Sequence, residues 1–410
     1  MALRPTALPA LTGIRPFASL LVFGFHFCRP VVSDGPAWLR SLVGAGFVAV
    51  SFFFVLSGFI LAVSHRERLL DQRHALDRRR FLLRRVARIY PAYLFALVLL
   101  LPFALYTPWG ASTGAFPPAA AGSKLGAGLL HLTMTQAWWP PLTLSWNLPG
   151  WSVSVEIGCY LAFLLLAGRI ARCARRERWL LAGGLWLTSL ALTIAYTQLA
   201  PEAATVDADT SAPFINFVKL WPPCRVPEFL FGVTLGLLWA DRTDLGDRSG
   251  RAAPRGSGVV ALGALLLALT HARALPYAVL HNALLLPVFG ALLWAVACAR
   301  GRVARLLGSA PMVAVGKSTY GLYILQMPLM YWLLLASQKA GVSLGGMRFL
   351  AVFVPLVIAL TFLVRVTVER HGRRLLTGWL EALLPAKTAR RARSSVEPRS
   401  DEDREIARAG

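Results

Sequence analysis

LTGIRPFASLLVFGFHF, Leu11 to Phe27, is an apolar run of the kind that crosses a bilayer, yet it carries a cation, Arg15, and an imidazole, His26. Both are awkward in hydrocarbon: an arginine at the bilayer centre costs roughly 2.5–3.5 kcal/mol on insertion scales. Eleven residues at about 100° each bring the two side chains to within about 20° of one another, on one helix face. Along the axis they stand about 16–17 Å apart. One face of one helix therefore offers a positive group near one membrane surface and a titratable ring in the opposite half. Taken alone, Arg15 could snorkel to the interface and His26 could be a satisfied polar contact in a bundle. Their sharing of a face argues for a joint use.

The rest of the chain repeats the apolar pattern. Of 410 residues, 56% are hydrophobic and 15% charged, and mean hydropathy is +0.56. So many long apolar runs exclude a soluble protein and indicate an all-α, polytopic bundle of transmembrane helices in a lipid bilayer. A net charge of +23 would suggest nucleic acid in a soluble chain. Here the arginines cluster between apolar segments, as in cytoplasmic loops under the positive-inside rule, so no nucleic-acid partner is expected. Cys28, Cys159, Cys173, Cys224 and Cys298 are scattered without CxxC spacing, which indicates neither a disulfide framework nor a metal site. The first segment lacks a small-x-small cleavage site and reads as a retained span.

Charge sets the topology by parity. Segment one, about 11–29, and segment two, about 43–63, precede HRERLLDQRHALDRRRFLLRRVAR, with nine arginines between Arg66 and Arg88. That loop is expected in the cytoplasm, and with it the N-terminus. Segment three, about 90–106, returns outward to a region, 107–150, rich in Pro, Gly, Ser and Trp. Its apolar middle, LGAGLLHLTMTQAWW (125–139), would break the later parity as a full span, so it reads as re-entrant or interfacial. Segment four, about 151–168, ends in RIARCARRER, with five arginines in ten residues. Segment five, about 179–197, leads to the acidic, external PEAATVDADTSAP. Segment six, about 220–240, ends in a polar cytoplasmic linker. Segments seven and eight, about 257–273 and 278–298, and segments nine and ten, about 316–336 and 347–367, form two hairpins. About ten spans with both termini cytoplasmic result, and the basic tail is expected to be disordered beyond Lys387.

Polar groups can then be placed by depth. Counted from the outer helix ends, His26 and Glu156, the latter in WSVSVE, lie roughly 6–8 Å below the outer surface. A carboxylate facing an imidazole fixes its tautomer and supports the imidazolium formed when it takes a proton. An alcohol attacking an acyl group could be deprotonated by such a pair; a protonated Glu156 bonded to a neighbouring helix is the plainer alternative. Near the cytoplasmic end, Arg15 has Arg84, Arg85 and Arg88 for company in RRVARIYP. Arg85 and Arg88, at i and i+3, project to one side. Guanidinium groups grip phosphates through forked, charge-assisted bonds; Arg66 to Arg80 read as topology signals. Arg225 and Glu228 are expected to neutralise each other, Gly232 and Gly236 to mark close helix packing. Trp109, Trp138, Trp139, Trp146 and Trp151 are expected in an interfacial belt, with stacking on sugar faces as the alternative, and His131 in an outer loop, solvated rather than in contact with an acceptor.

Taken together, LTGIRPFASLLVFGFHF with Arg15-x10-His26, FFFVLSGFIL (52–61), RRVARIYP, WSVSVEIGCYL, RVPEFLFG (225–232), STYGLYILQMPL (318–329) and VER (368–370) resemble the membrane-bound acyltransferase 3 family. These are the integral-membrane O-acyltransferases of envelope carbohydrates. The resemblance runs from about residue 8 to 372, which makes 1–372 the acyltransferase domain and 373–410 a cytoplasmic tail. It implies transfer of an acyl group, usually acetyl, from cytoplasmic acyl-CoA to an extracytoplasmic carbohydrate hydroxyl, with no metal. The setting it implies is a bacterial inner membrane, alongside polysaccharide-assembly proteins. Carried over, His26 is the catalytic histidine, Glu156 supports it, and Arg15, Arg85 and Arg88 serve the donor. Two positions depart from the pattern: Gln326 stands where similar proteins often have histidine, and His371 where VER is usually followed by proline. Some relatives carry a fused esterase-like domain; none is read here, so a further transfer step would need a separate chain. The rival class is a transporter or flippase whose intramembrane ions line a substrate path, against which stands the lack of an internal repeat.

Overall fold

A computed structural model describes residues 8–70, 77–106, 123–200, 207, 213–244 and 256–382. Among them there is helix and turn but no strand. The chain forms α1 (Pro9–Phe27), α2 (Ala37–Leu70), α3 (Arg78–Leu105), α4 (Ser123–Leu132), α5 (Leu148–Arg172) and α6 (Arg175–Leu199). It continues through α7 (Pro222–Asp244), α8 (Ser257–Thr270), α9 (Tyr277–Ala297), α10 (Ala310–Lys339) and α11 (Gly346–Trp379). Eight of these, all but α4, α7 and α8, are long and apolar enough to cross a membrane, and the protein is a multi-pass membrane protein. The two remaining expected spans are helical but differ in kind. α7 carries the ions Arg225 and Glu228, and the 14 residues of α8 reach only about 21 Å against a hydrocarbon core of about 30 Å.

Two apolar cores hold the bundle. One gathers α1, α2, α5, α7 and α9, the other α3, α10 and α11. Helices α2 and α7 touch backbone to backbone. A Cβ on Gly232 would stand 2.0 Å from the Val55 carbonyl oxygen, and one on Gly58 2.1 Å from that of Phe229. Only glycine permits such contact, which is the packing role expected of the Gly232 region. Outward, Val98, Leu101, Leu187, Leu192, Val259 and Ile358 are exposed, the apolar face that lipid covers.

The arginine-rich connection between the second and third segments is largely helix, since α2 runs to Leu70 and α3 starts at Arg78. At this end Asp241 of α7 receives Arg66 Nη2 of α2 at 2.9 Å and Arg178 of α6. Arg178 also donates to the carbonyls of Ile170, Ala171 and Cys173 at 3.1, 2.7 and 3.1 Å, capping the end of α5. Arg66 and Arg178 thus have structural work that their place in charge-rich loops did not show.

At the opposite end, α4 is followed by single turns at Gln136–Trp138 and Pro140–Leu142. The ten residues of α4 are too few to cross, and the segment sinks into protein instead. Gln136, Thr143 and Asn147 are fully buried. Gln136 Nε2 donates to the Tyr93 hydroxyl and the Gly150 carbonyl at 3.0 and 2.7 Å, and Tyr93 donates to the His131 carbonyl at 2.9 Å. Asn147 Nδ2 donates to the Ile324 carbonyl at 3.1 Å. That carbonyl lies four residues before Pro328, inside α10, so the proline leaves it without its helical donor. Irregular backbone survives inside the bundle because side chains satisfy it.

His131 is not solvated as expected. It is fully buried, its ring stacks on Trp146 with centroids 6.2 Å apart, and burial pulls its pKa down to about 4. Trp138 and Trp139 are exposed, as a belt requires, but Trp151 is buried in the core; Trp109 lies outside the described residues. The expected boundary at residue 372 falls within a helix, Arg370–Ala382, and the rest of the tail lies outside the described residues. All five cysteines are free.

Candidate active site

A break at Ile14 separates Pro9–Gly13 from the helix Arg15–Phe27, with Pro16 in its first turn, where a missing N–H costs nothing. Arg15 stands at that helix start. It shares one cavity with Arg85 and Arg88 of α3, Glu156 and Tyr160 of α5, and Tyr320 of α10. Arg84, the neighbour of Arg85, is exposed and outside the cavity, as the i, i+3 geometry requires.

Partners distinguish these three arginines. Among the described residues none of them makes an ion pair, and Arg15 Nε is buried without a hydrogen bond. The Arg85 guanidinium lies over the rings of Phe81 and Tyr160, 5.3 and 6.0 Å from their centroids. Glu156, the cavity's carboxylate, accepts a hydrogen bond from the Tyr160 hydroxyl. The Tyr320 hydroxyl donates to the Ile89 carbonyl at 2.9 Å and ties α10 to α3 behind the arginines. Three guanidiniums against one carboxylate leave the site cationic, suited to a multiply charged anion such as a phosphate.

His26 opens elsewhere. It lines a second cavity with Arg29, Arg40, Arg273 and Tyr277, and its ring meets Phe25 edge-on at 5.0 Å. Glu156 sits with Arg15, about 16 Å along the helix from His26 by residue count, rather than facing the imidazole. The reason lies in the segment before α5. Depth counted from the start of α5 assumes a helix that begins at the membrane surface. Trp151 is 8% exposed, because the turns before it pack over the start of α5. The i, i+3 spacing set Arg85 beside Arg88 in one cavity, whereas Arg15 and His26, expected to be used jointly, line different cavities, and the depth of Glu156 was misplaced.

Away from both cavities, Arg225 and Glu228 pair at 2.9 Å, each 0% exposed. Arg225 Nη2 also donates to Ser51 Oγ at 3.0 Å, and that hydroxyl donates to the His281 carbonyl at 2.8 Å. Gln326 is fully buried and its amide makes no hydrogen bond among the described residues. Tyr160 and Tyr320 were not read from sequence. Tyr160, four residues after Glu156 and so on the same helix face, was open to discovery; Tyr320 was not.

Residues 8–366 match a family model described as an acyltransferase domain. Over 279 residues the chain is 33% identical to Acyltransferase MdmB of Streptomyces mycarofaciens, covering 65% of this chain and 63% of that protein. Over 160 residues it is 30% identical to Protein 2 in picA locus of Rhizobium radiobacter, covering 36% and 75%. The first match thus spans less than two thirds of the Streptomyces protein. No solved structure matches the chain.

Proposed function

The chain belongs to the membrane-bound acyltransferase 3 family, and from that premise we propose that it moves an acyl group, acetyl first among candidates, from cytoplasmic acyl-CoA to a hydroxyl of an extracytoplasmic carbohydrate. An exopolysaccharide or another cell-envelope glycan is the acceptor class, and the bacterial cell membrane is the setting, with both termini cytoplasmic. The observation that carries the reading is the convergence of Arg15, Arg85 and Arg88, from two helices, on one cavity without ion-pair partners among the described residues. Acyl-CoA supplies the phosphates such a site takes, and the reading requires its long arm to carry the thioester along α1, from this cavity to the one that His26 lines.

The acceptor hydroxyl then attacks the thioester carbonyl, the new C–O bond forms as the C–S bond breaks, and CoA leaves as the thiol. His26 takes the hydroxyl proton as general base, or carries the acyl group between donor and acceptor. Glu156, hydrogen-bonded to Tyr160, serves the donor end by setting the field among the arginines. Inverted membrane vesicles supplied with radiolabelled acetyl-CoA and candidate glycans test this. Label should pass to glycan in the wild type and not in His26→Ala, with insertion of the variant unchanged. Transfer by His26→Ala would remove the imidazole from the mechanism, and glycan crossing unmodified would favour a carrier.

A further inference from the structure

The second cavity holds more cationic charge than the transfer reading uses. Among the described residues, Arg29, Arg40 and Arg273 line it with His26, against one carboxylate, Asp207. Arg40 and Arg273 make no ion pair among the described residues. Arg40 Nη1 donates to the Ser33 carbonyl at 3.3 Å, while its Nε is shielded from solvent without a partner. The two guanidiniums are carried by elements that pack together, the helix Ala37–Gly44 at the start of α2 and the turn Ala272–Ala274. Their relation to one another is therefore built into the fold.

Topology does not account for them. In the proposed orientation this end faces away from the cytoplasm, where the positive-inside bias disfavours arginine in short loops. A cluster of cations that the membrane does not require, around the residue assigned to meet the acceptor, calls for a ligand of opposite sign.

We propose that the acceptor carries an anionic group, a phosphate or a carboxylate, which Arg40 and Arg273 hold while its hydroxyl meets His26. This rests on the transfer reading and narrows its acceptor from carbohydrates at large to acidic ones: uronic-acid or phosphate-bearing glycans. Guanidinium forks grip either group through paired, charge-assisted bonds. A lipid headgroup phosphate offers the same chemistry, so two bilayers separate the sources.

The test uses the full chain in phosphatidylcholine nanodiscs, first titrated with CoA and then kept saturated with it, so that the Arg15 cavity is filled. Glucose 6-phosphate, glucuronate and methyl glucoside are titrated by calorimetry. The two anionic sugars should bind at least about tenfold more tightly than the neutral one. Arg40→Gln with Arg273→Gln should remove that preference, and Arg40→Lys with Arg273→Lys should restore most of it, which shows that charge and not folding was lost. Equal binding of neutral and anionic sugars, or a preference that survives the glutamine pair, overturns the proposal. Repeating the titration in phosphatidylglycerol nanodiscs assigns the source: displaced sugars identify a lipid headgroup, undisturbed binding identifies the acceptor's own acid group. Absence of CoA binding in the first titration would break the transfer reading without touching the sugar result.

Discussion

Arg178 and Arg85 stand at the same end of the bundle, in runs that charge counting treats alike, RRERW and RRVAR. Arg178 is saturated: it meets Asp241 and three carbonyls at the end of α5. Arg85 has two aromatic rings and open space. Arg225, buried against Glu228, extends the first group; Arg15 and Arg88 extend the second. The difference teaches that the number of partners, and not local charge density, separates an arginine that builds the fold from one proposed to take the donor.

Three substitutions press on that contrast. The largest effect belongs to Arg225→Leu, which strands the Glu228 carboxylate in the core and should lower stability by about 3–5 kcal/mol, read as a depressed unfolding transition in detergent. Next, Arg85→Ala with Arg88→Ala should leave that transition nearly unchanged but weaken binding of acyl-CoA by roughly tenfold to a hundredfold, the scale of a lost charged hydrogen bond of about 1.5–3 kcal/mol. A large loss of stability with donor affinity intact would erase the distinction. Smallest is Arg66→Ala: the pair is about one-fifth exposed on each side and Asp241 keeps Arg178, so a cost of about 1 kcal/mol or less is expected. A cost equal to that of Arg225→Leu would show that the Asp241 cluster acts as a single unit.

Much of the architecture was legible because hydropathy and charge are local. All ten expected apolar segments are helical, and the one-face relation of Arg85 to Arg88 followed from residue spacing alone. What failed depended on distant chain. Whether Arg178 was a loop signal or a clasp depended on Asp241, 63 residues on. The depth of Glu156 depended on how 123–150 folds, and that segment is held by Tyr93 and Ile324, on helices either side of it in sequence. His131 looked like a loop histidine because nothing nearby reveals that α4 lies under protein. No periodicity reports such dependence.

The hydrogen bond from Asn147 to Ile324 also sets a schedule for synthesis. Its two ends are 177 residues apart, and at about 5–20 residues per second the ribosome adds the second roughly ten to thirty-five seconds after the first. Ser51 waits longer for His281, 230 residues away. The N-terminal spans thus enter the membrane well before their closing contacts exist, and the segment 123–150 cannot lock until α10 has been inserted. A nascent chain halted before that point would expose unsatisfied amide groups to lipid and become a substrate for quality-control proteases.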